Sequence, residues 1–485
     1  MNMKPISYFY MHVKNIQLEK LFILIFISFG AMFVFITPPG WNIDEPDHTY
    51  RVYQLATGNL LSEKVEIPDG LKAFGGKVPS ELIHLYDKTG VRAPGAVTDT
   101  TTKVDGLYGK EPDIRTLKDD GSRTIINFSG AALYSPIAYA MYIPVFWLGE
   151  LLSLPFFQII ILSRLIGLLF TAVAFFVAIK YIPVGKWIIF AIGLLPVVVV
   201  QAASISADVP QIAVSVLFIT LIAKIIYAKR SPKLIEYGML TALGSVLVLI
   251  KLVYAPLVLL VLAIPLIKKE CRNRKHILFA LLTVIIAAVF GIIWTAMVGY
   301  IDINSNPQAN FELQKAYVLH EPIVYLKTLY YTFFTNQQPL ALGNIFGNFV
   351  WASAPLAPVY AYIASAILFA SVVVKSGRET SIRLGKDKIR IWRASLAVVS
   401  LMTAVLIATA LYVYSTTLHQ SSIVGLQSRY FIPVLPAILL LFYGNVVKNQ
   451  RMVKIGIVSM SVFVLIGSIL TVYHRLYQVL PVILQ

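Results

Sequence analysis

The chain has 485 residues, 58% of them hydrophobic and only 13% charged, with a mean hydropathy of +0.75 and a formal net charge of +17. Many of its apolar runs reach the roughly 20 residues that cross a bilayer, which excludes a soluble globular enzyme and indicates a polytopic membrane protein. The single cysteine, Cys271, excludes an intramolecular disulfide and a cysteine-built metal site; residues 38–129 hold 14 of the 24 acids and 11 basic residues, so the positive excess lies in the other loops and suits membrane lipids rather than nucleic acid.

In chain order, the first apolar run, Leu18 to Ile36, is long enough to span and ends in Thr-Pro-Pro-Gly instead of a small-residue cleavage site. It reads as a transmembrane helix and not as a cleavable signal peptide. Apolar lengths place helices at about 19–37, 155–179, 187–203, 209–227, 234–250, 252–267, 277–299, 345–374, 394–414, 430–447 and 455–472. With these eleven spans the N-terminal arm, residues 1–18, lies in the cytoplasm, and 24 of the 41 Lys and Arg fall in that arm or in five inside connections. "YSPIAYAMYIPVFWLGELL", from Tyr134 to Leu152, is excluded as a span because counting it would reverse every later loop. An amphipathic helix lying flat at the outer interface is expected there, the alternative being an ordinary short transmembrane helix.

Residues 38–130 then form a large extracytoplasmic loop, and a second outer loop, about 300–344, carries the aromatic "EPIVYLKTLYYTFF" as another interfacial helix. Residues 19–267 are read as one module and 268–485 as a C-terminal transmembrane module, with no internal repeat. "NFS" at Asn127 is formally a glycosylation sequon, a tripeptide common by chance.

Four polar groups converge on the outer face of this threading. The first, "DEPDHTYR", holds Asp44, Glu45, His48 and Arg51 at the start of an amphipathic helix. A partly desolvated carboxylate there can act as a general base toward a hydroxyl; the plainer reading is a helix cap with solvated charges. The second is Asp208 in "SISADVP", either a site acid or an N-cap. The third is Lys251, which interrupts an apolar run of more than 30 residues, as a functional cation or as a snorkelling residue at a helix break. The fourth is Arg429 in "QSRYFIPVLP", an outer-boundary arginine that requires an anion, either a phosphate or a loop carboxylate. Arg164, inside the second span, pairs within the bundle or with the same anion. No HExxH, glycine-rich phosphate loop or nucleophile elbow is present, and Asp44 and Asp47 stand three apart, so no strict DxD supports a divalent metal cofactor.

"PPGWNIDEPDHTYRVYQLATG", "ALYSPIAY", "SISAD", "KLVYAP" and "QSRYFIPVLP", in that order along most of the chain, resemble a family of bacterial polytopic proteins catalogued as a domain of unknown function, itself similar to the GT-C superfamily of glycosyltransferases. The resemblance implies an all-α transmembrane GT-C-like bundle with juxtamembrane helices in the plasma membrane, its catalytic acid after the first helix and its donor a polyprenyl-phosphate-linked sugar. Carried over, Asp44 is the catalytic base with Glu45 beside it, and Asp208 matches the acid after the third helix. The expected reaction is inverting transfer to a glycan or glycolipid acceptor. Arg429 with Lys251 stabilises the leaving phosphate, and His48, Arg51, Asp208, Arg164, Tyr254 and Tyr430 complete the substrate-binding set. A polysaccharide polymerase or ligase, a transporter or flippase of lipid-linked sugars, and a non-catalytic scaffold are the rival readings; clustering of the polar sites at one face, without repeated halves, favours the transferase.

Overall fold

The computed structural model describes residues 17–66, 72–91, 103–104, 108, 113–301, 309–335, 346–351, 353–376, 379, 384–444, 447 and 450–477. Six α-helices are long and apolar enough to cross a bilayer: α1 Leu18–Ile36, α5 Phe156–Tyr181, α8 Asp208–Tyr227, α11 Arg274–Val298, α15 Lys386–Ser415 and α17 Gln450–Leu476. At 1.5 Å per residue the shortest, α1, is about 28 Å long, close to the hydrocarbon thickness. The protein is therefore a multi-pass membrane protein. Its interior forms where α5 packs against both α1 and α8, α8 against α9 (Leu234–Ile250), and α9 against α11.

Proline decides where the remaining apolar runs break. The run expected as one helix over 187–203 is two, α6 Lys186–Gly193 and α7 Pro196–Ala202, because Pro196 has no N–H and sits where only a first helical turn accepts it. In place of the span expected over 430–447, a 3₁₀ turn, Ser428–Phe431, is followed by the eight-residue α16, Leu435–Phe442, with Pro433 between them and Pro436 in the first turn of α16. The helix expected from 345 starts only at Pro358 (α14, Pro358–Val372); Pro355 ends a two-residue strand pair, β4 Asn348–Phe349 with β5 Ala354–Pro355. After α9 the backbone of Lys251 is extended, and Leu252–Leu262 continues as a 3₁₀ helix containing Pro256 before α10, Ala263–Ile267. Its steeper rise lets Leu252–Ile267 extend about 30 Å in place of the roughly 24 Å of an α-helix of equal length.

The fold is mostly helical, as expected of an all-α membrane protein, and the large loop adds a small sheet to it. Its described residues hold a three-stranded antiparallel sheet of β1 Glu63–Glu66, β2 Lys72–Pro79 and β3 Arg123–Asn127 in the order β1-β2-β3. Strand β2 runs so close to β3 that a Cβ on Gly75 would lie 1.8 Å from the Ile126 carbonyl oxygen. Helices α2, Glu45–Ala56, and α3, Ser80–Lys88, pack against this sheet. The segment expected to lie flat forms the nine-residue α4, Ile143–Leu151, too short to span. It buries Val145, Phe146 and Gly149 and leaves Trp147, Leu148 and Leu151 exposed, with the Trp147 indole fixed to the Ala56 carbonyl at the end of α2. In the second loop, α13 (Pro322–Tyr330, after α12 Phe311–His320) likewise exposes Ile323, Leu326 and Tyr330.

The last helix finishes beside the first. The Tyr477 hydroxyl donates to the Ile36 carbonyl at 2.9 Å and the Val104 N–H to the Leu476 carbonyl at 2.7 Å. The Arg475 guanidinium stacks 5.4 Å from the Trp41 ring centroid.

Candidate functional site

Thr37-Pro38-Pro39-Gly40 stops α1 and turns the chain into α2. Asp44 occupies the N-cap position of α2, but its backbone is left-handed (φ 61°) and its carboxylate makes no capping hydrogen bond. A residue other than glycine in that region costs of order 1–3 kcal/mol. The carboxylate instead reaches Arg429, whose Nη2 donates to Asp44 Oδ2 at 2.6 Å. The Arg429 side chain is 8% exposed and that of Asp44 42% exposed, so the cation is fixed in the protein and the acid opens toward solvent.

Behind this pair the charges alternate. Arg429 Nη1 lies 3.9 Å from Asp208 Oδ2, and the Lys251 ammonium donates to Asp208 Oδ1. Lys251 is bracketed by aromatic rings, 5.1 Å from the Tyr134 centroid and 5.7 Å from that of Tyr430, and the Tyr254 hydroxyl donates to the Tyr430 carbonyl at 2.8 Å. Arg429 Nε, by contrast, is buried without a hydrogen-bond partner among the described residues. The start of α2, the start of α8, the break after α9 and the 3₁₀ turn at Ser428 thus deliver four charges to one level. Each residue stands where a helix begins or breaks, which is why side chains from distant parts of the chain meet there.

A cleft of about 310 Å³ opens against the Asp44–Arg429 pair, with Asn42, Gln201, Phe349 and Trp351 among its walls. The hairpin tip that carries Trp351 is strained: Val350 and Trp351 both have φ 55°, and a β-branched residue there is an outlier.

His48, one turn into α2, stands beside the charge cluster. Its Nδ1 is 2.6 Å from the Tyr139 hydroxyl and its ring stacks on Tyr134 at 5.7 Å. Burial lowers its pKa to about 4, against the opposing pull of Asp44 and Asp208. The imidazole is therefore neutral in the folded protein while the unfolded chain takes up a proton near pH 6.5. Stability from this group is fully present above pH 6.5 and is lost as the pH falls toward 4, by about 3 kcal/mol over that window. In detergent, the melting temperature is expected to drop between pH 6.5 and 4.5, and a His48→Gln protein to lose a distinctly smaller part of its stability; parallel curves for the two proteins would contradict this assignment.

Three residues expected at the site lie elsewhere. Glu45 and Arg164 form a fully buried bidentate pair, Nε to Oε1 at 2.7 Å and Nη2 to Oε2 at 2.5 Å. The remaining Arg164 donors satisfy the carbonyls of Val34, Thr37 and Pro38, and Glu45 also accepts from the Gly40 N–H at 2.9 Å. This pair fastens the turn that presents Asp44 and has no exposure to the cleft. Arg51 faces away from the cluster, binding Gln54, the Ser62 hydroxyl and the carbonyls of Leu60 and Tyr134 beneath the sheet. In the other direction, Tyr134 and Tyr139 belong to the quoted "ALYSPIAY" and Asn42 to "PPGWNIDEPDHTYRVYQLATG", but their contacts at the site are made only in the fold; Gln201 and Trp351 carried no charge or motif to mark them.

Among the described residues no group of three or more His, Cys, Asp or Glu gathers closely enough to hold a metal ion. Comparison with known proteins gives a match of residues 26–438 to the sequence family described as "Predicted membrane protein (DUF2142)". No curated protein and no solved structure matches the chain.

Proposed function

We propose a sugar-transfer reaction for this chain, which belongs to the DUF2142 family of predicted membrane proteins: a GT-C-type glycosyltransferase of the bacterial plasma membrane that moves a sugar from a polyprenyl-phosphate donor to an envelope glycan or glycolipid. The observation that carries this reading is the partly exposed Asp44 carboxylate held 2.6 Å from the buried Arg429 at the edge of a cleft. A lipid-borne phosphate requires a cation at headgroup level with apolar walls below it, and an inverting transfer requires a base within reach of the acceptor.

The donor phosphate takes Arg429, using the unpartnered Nε together with Nη2, and so releases Asp44 from its ion pair. Asp44 removes the proton of the acceptor hydroxyl as that oxygen forms a bond to the anomeric carbon. The bond from that carbon to the phosphate oxygen breaks, its electron pair leaves with the polyprenyl phosphate, and the sugar is inverted. Arg429 stabilises the growing charge, while Lys251 holds Asp208 in place behind it. The orientation that goes with this reaction has the N-terminus in the cytoplasm, eleven spans and the cleft outside. Helices α1 and α17 pack side by side and end together, as an odd number of crossings requires, and the extended 3₁₀ segment lets the 16 residues of Leu252–Ile267 cover a bilayer thickness.

The test is a deletion strain carrying wild-type or Arg429→Ala protein, with membrane abundance read by immunoblot and the sugar composition of the purified envelope polysaccharide measured. Loss of one oriented donor lowers transfer by about 10²–10³-fold, so one sugar substituent is expected to disappear. An unchanged composition at normal abundance would count against the transferase.

A further inference from the structure

We infer that the Gln201–Trp351 side of the cleft is a binding subsite for an uncharged sugar ring. This rests on the transferase reading for its place in a reaction, but the geometry bears on the ligand directly. Trp351 stands on a hairpin tip, between Phe349 and Ala354, in which Val350 and Trp351 are both held at φ 55°. Its indole N–H is fixed to the Gly40 carbonyl at 2.8 Å, so the ring has one orientation against the cleft. Such strain persists only where the surroundings impose it, and it concentrates at ligand clamps. An aromatic face offers the C–H side of a pyranose a flat apolar surface.

The polar wall has matching chemistry. Gln201 and Gln427 both line the cleft, and no hydrogen bond ties up either side-chain amide among the described residues. An amide presents both donors and an acceptor, as a sugar hydroxyl does, so these groups can be satisfied by a polyol without any charge.

Charge selects against acidic sugars. Asp44 and Arg429 are the ionisable residues lining the cleft, and they are paired with each other. Behind them Asp208 is held by Lys251. The donor phosphate uses Arg429, so a carboxylate on the sugar would sit beside Asp44 with no further cation among the lining residues.

The experiment has two arms. Detergent-purified protein is titrated with methyl glucopyranoside, methyl galactopyranoside, methyl rhamnopyranoside and glucuronate, read by saturation-transfer NMR. At least one neutral glycoside is expected to bind more tightly than glucuronate. Trp351→Ala is expected to weaken its binding about tenfold and Trp351→Phe by much less, with thermal unfolding confirming that both variants are folded. Equal or tighter binding of glucuronate, no transfer to any glycoside, or full binding by folded Trp351→Ala would overturn the subsite. In the second arm, the sugar missing from the polysaccharide of the Asp44→Asn strain is identified. A neutral sugar is expected, and an acidic one overturns this inference while leaving the transferase in place. An unchanged polysaccharide together with Trp351-dependent glycoside binding would remove the transferase and keep the subsite.

Discussion

Asp44→Asn is expected to stop sugar transfer, by about 10²–10⁴-fold, while the protein accumulates at its normal level. The substitution keeps the shape of the side chain, and its amide oxygen can still accept from Arg429. Asparagine also tolerates the left-handed backbone that this position demands, so the turn between α1 and α2 should survive. What the amide lacks is the ability to take up a proton from an acceptor hydroxyl. The measurement is the time course of sugar incorporation into envelope polysaccharide in membranes from the complemented deletion strain, alongside an immunoblot. Asp44→Glu should retain a measurable rate, because it restores the basic group on a longer arm. Wild-type incorporation by Asp44→Asn would remove Asp44 as the base.

Arg164→Met is expected to fail for a different reason, as protein that does not accumulate. It strands the Glu45 carboxylate in a fully buried position and leaves the carbonyls of Val34, Thr37 and Pro38 without their donor. Breaking a buried pair from one side typically costs about 3–5 kcal/mol, a large share of the 5–15 kcal/mol that holds a domain folded. Glu45→Gln should be milder, since a neutral amide can still meet Arg164. Combining Glu45→Gln with Arg164→Met should recover part of the loss, because the stranded charge is gone. Melting temperatures in detergent and abundance in membranes decide this. A folded Arg164→Met protein with an unchanged melting temperature would mean that the pair contributes little.

These two outcomes separate neighbouring acids that look alike in the sequence. Asp44 and Glu45 were both read as site residues because each follows the first helix, yet one turns to the cleft and the other into the core. The difference is made by the left-handed backbone at Asp44 and by the partner that α5 supplies, and neither is encoded within the local motif. Arg429, Lys251 and Asp208 were legible because charge at the boundary of an apolar run is costly without a partner. That the partners would largely be one another could be seen only in the fold. The long helices α1, α5, α8, α11, α15 and α17 followed directly from apolar length. The sheet did not: β1 has four residues, β2 is interrupted by Gly75 and Gly76, and the helix-like apolar content around Trp351 hid a hairpin that two prolines impose.

The meeting of the last helix with the first has a consequence for biosynthesis. Val104, Trp41 and Ile36 in and beside the large loop are held by Leu476, Arg475 and Tyr477, at the far end of the chain. The segment that presents Asp44 is translated well before the residues that give it these supports. Arg429 likewise reaches Asp44 across 385 positions of sequence. A nascent chain ending before residue 429 would carry the acid without its arginine partner, and one ending before Gln450–Leu476 would still leave the loop without its buttress, so the site is assembled in two stages, well after Asp44 itself has been made.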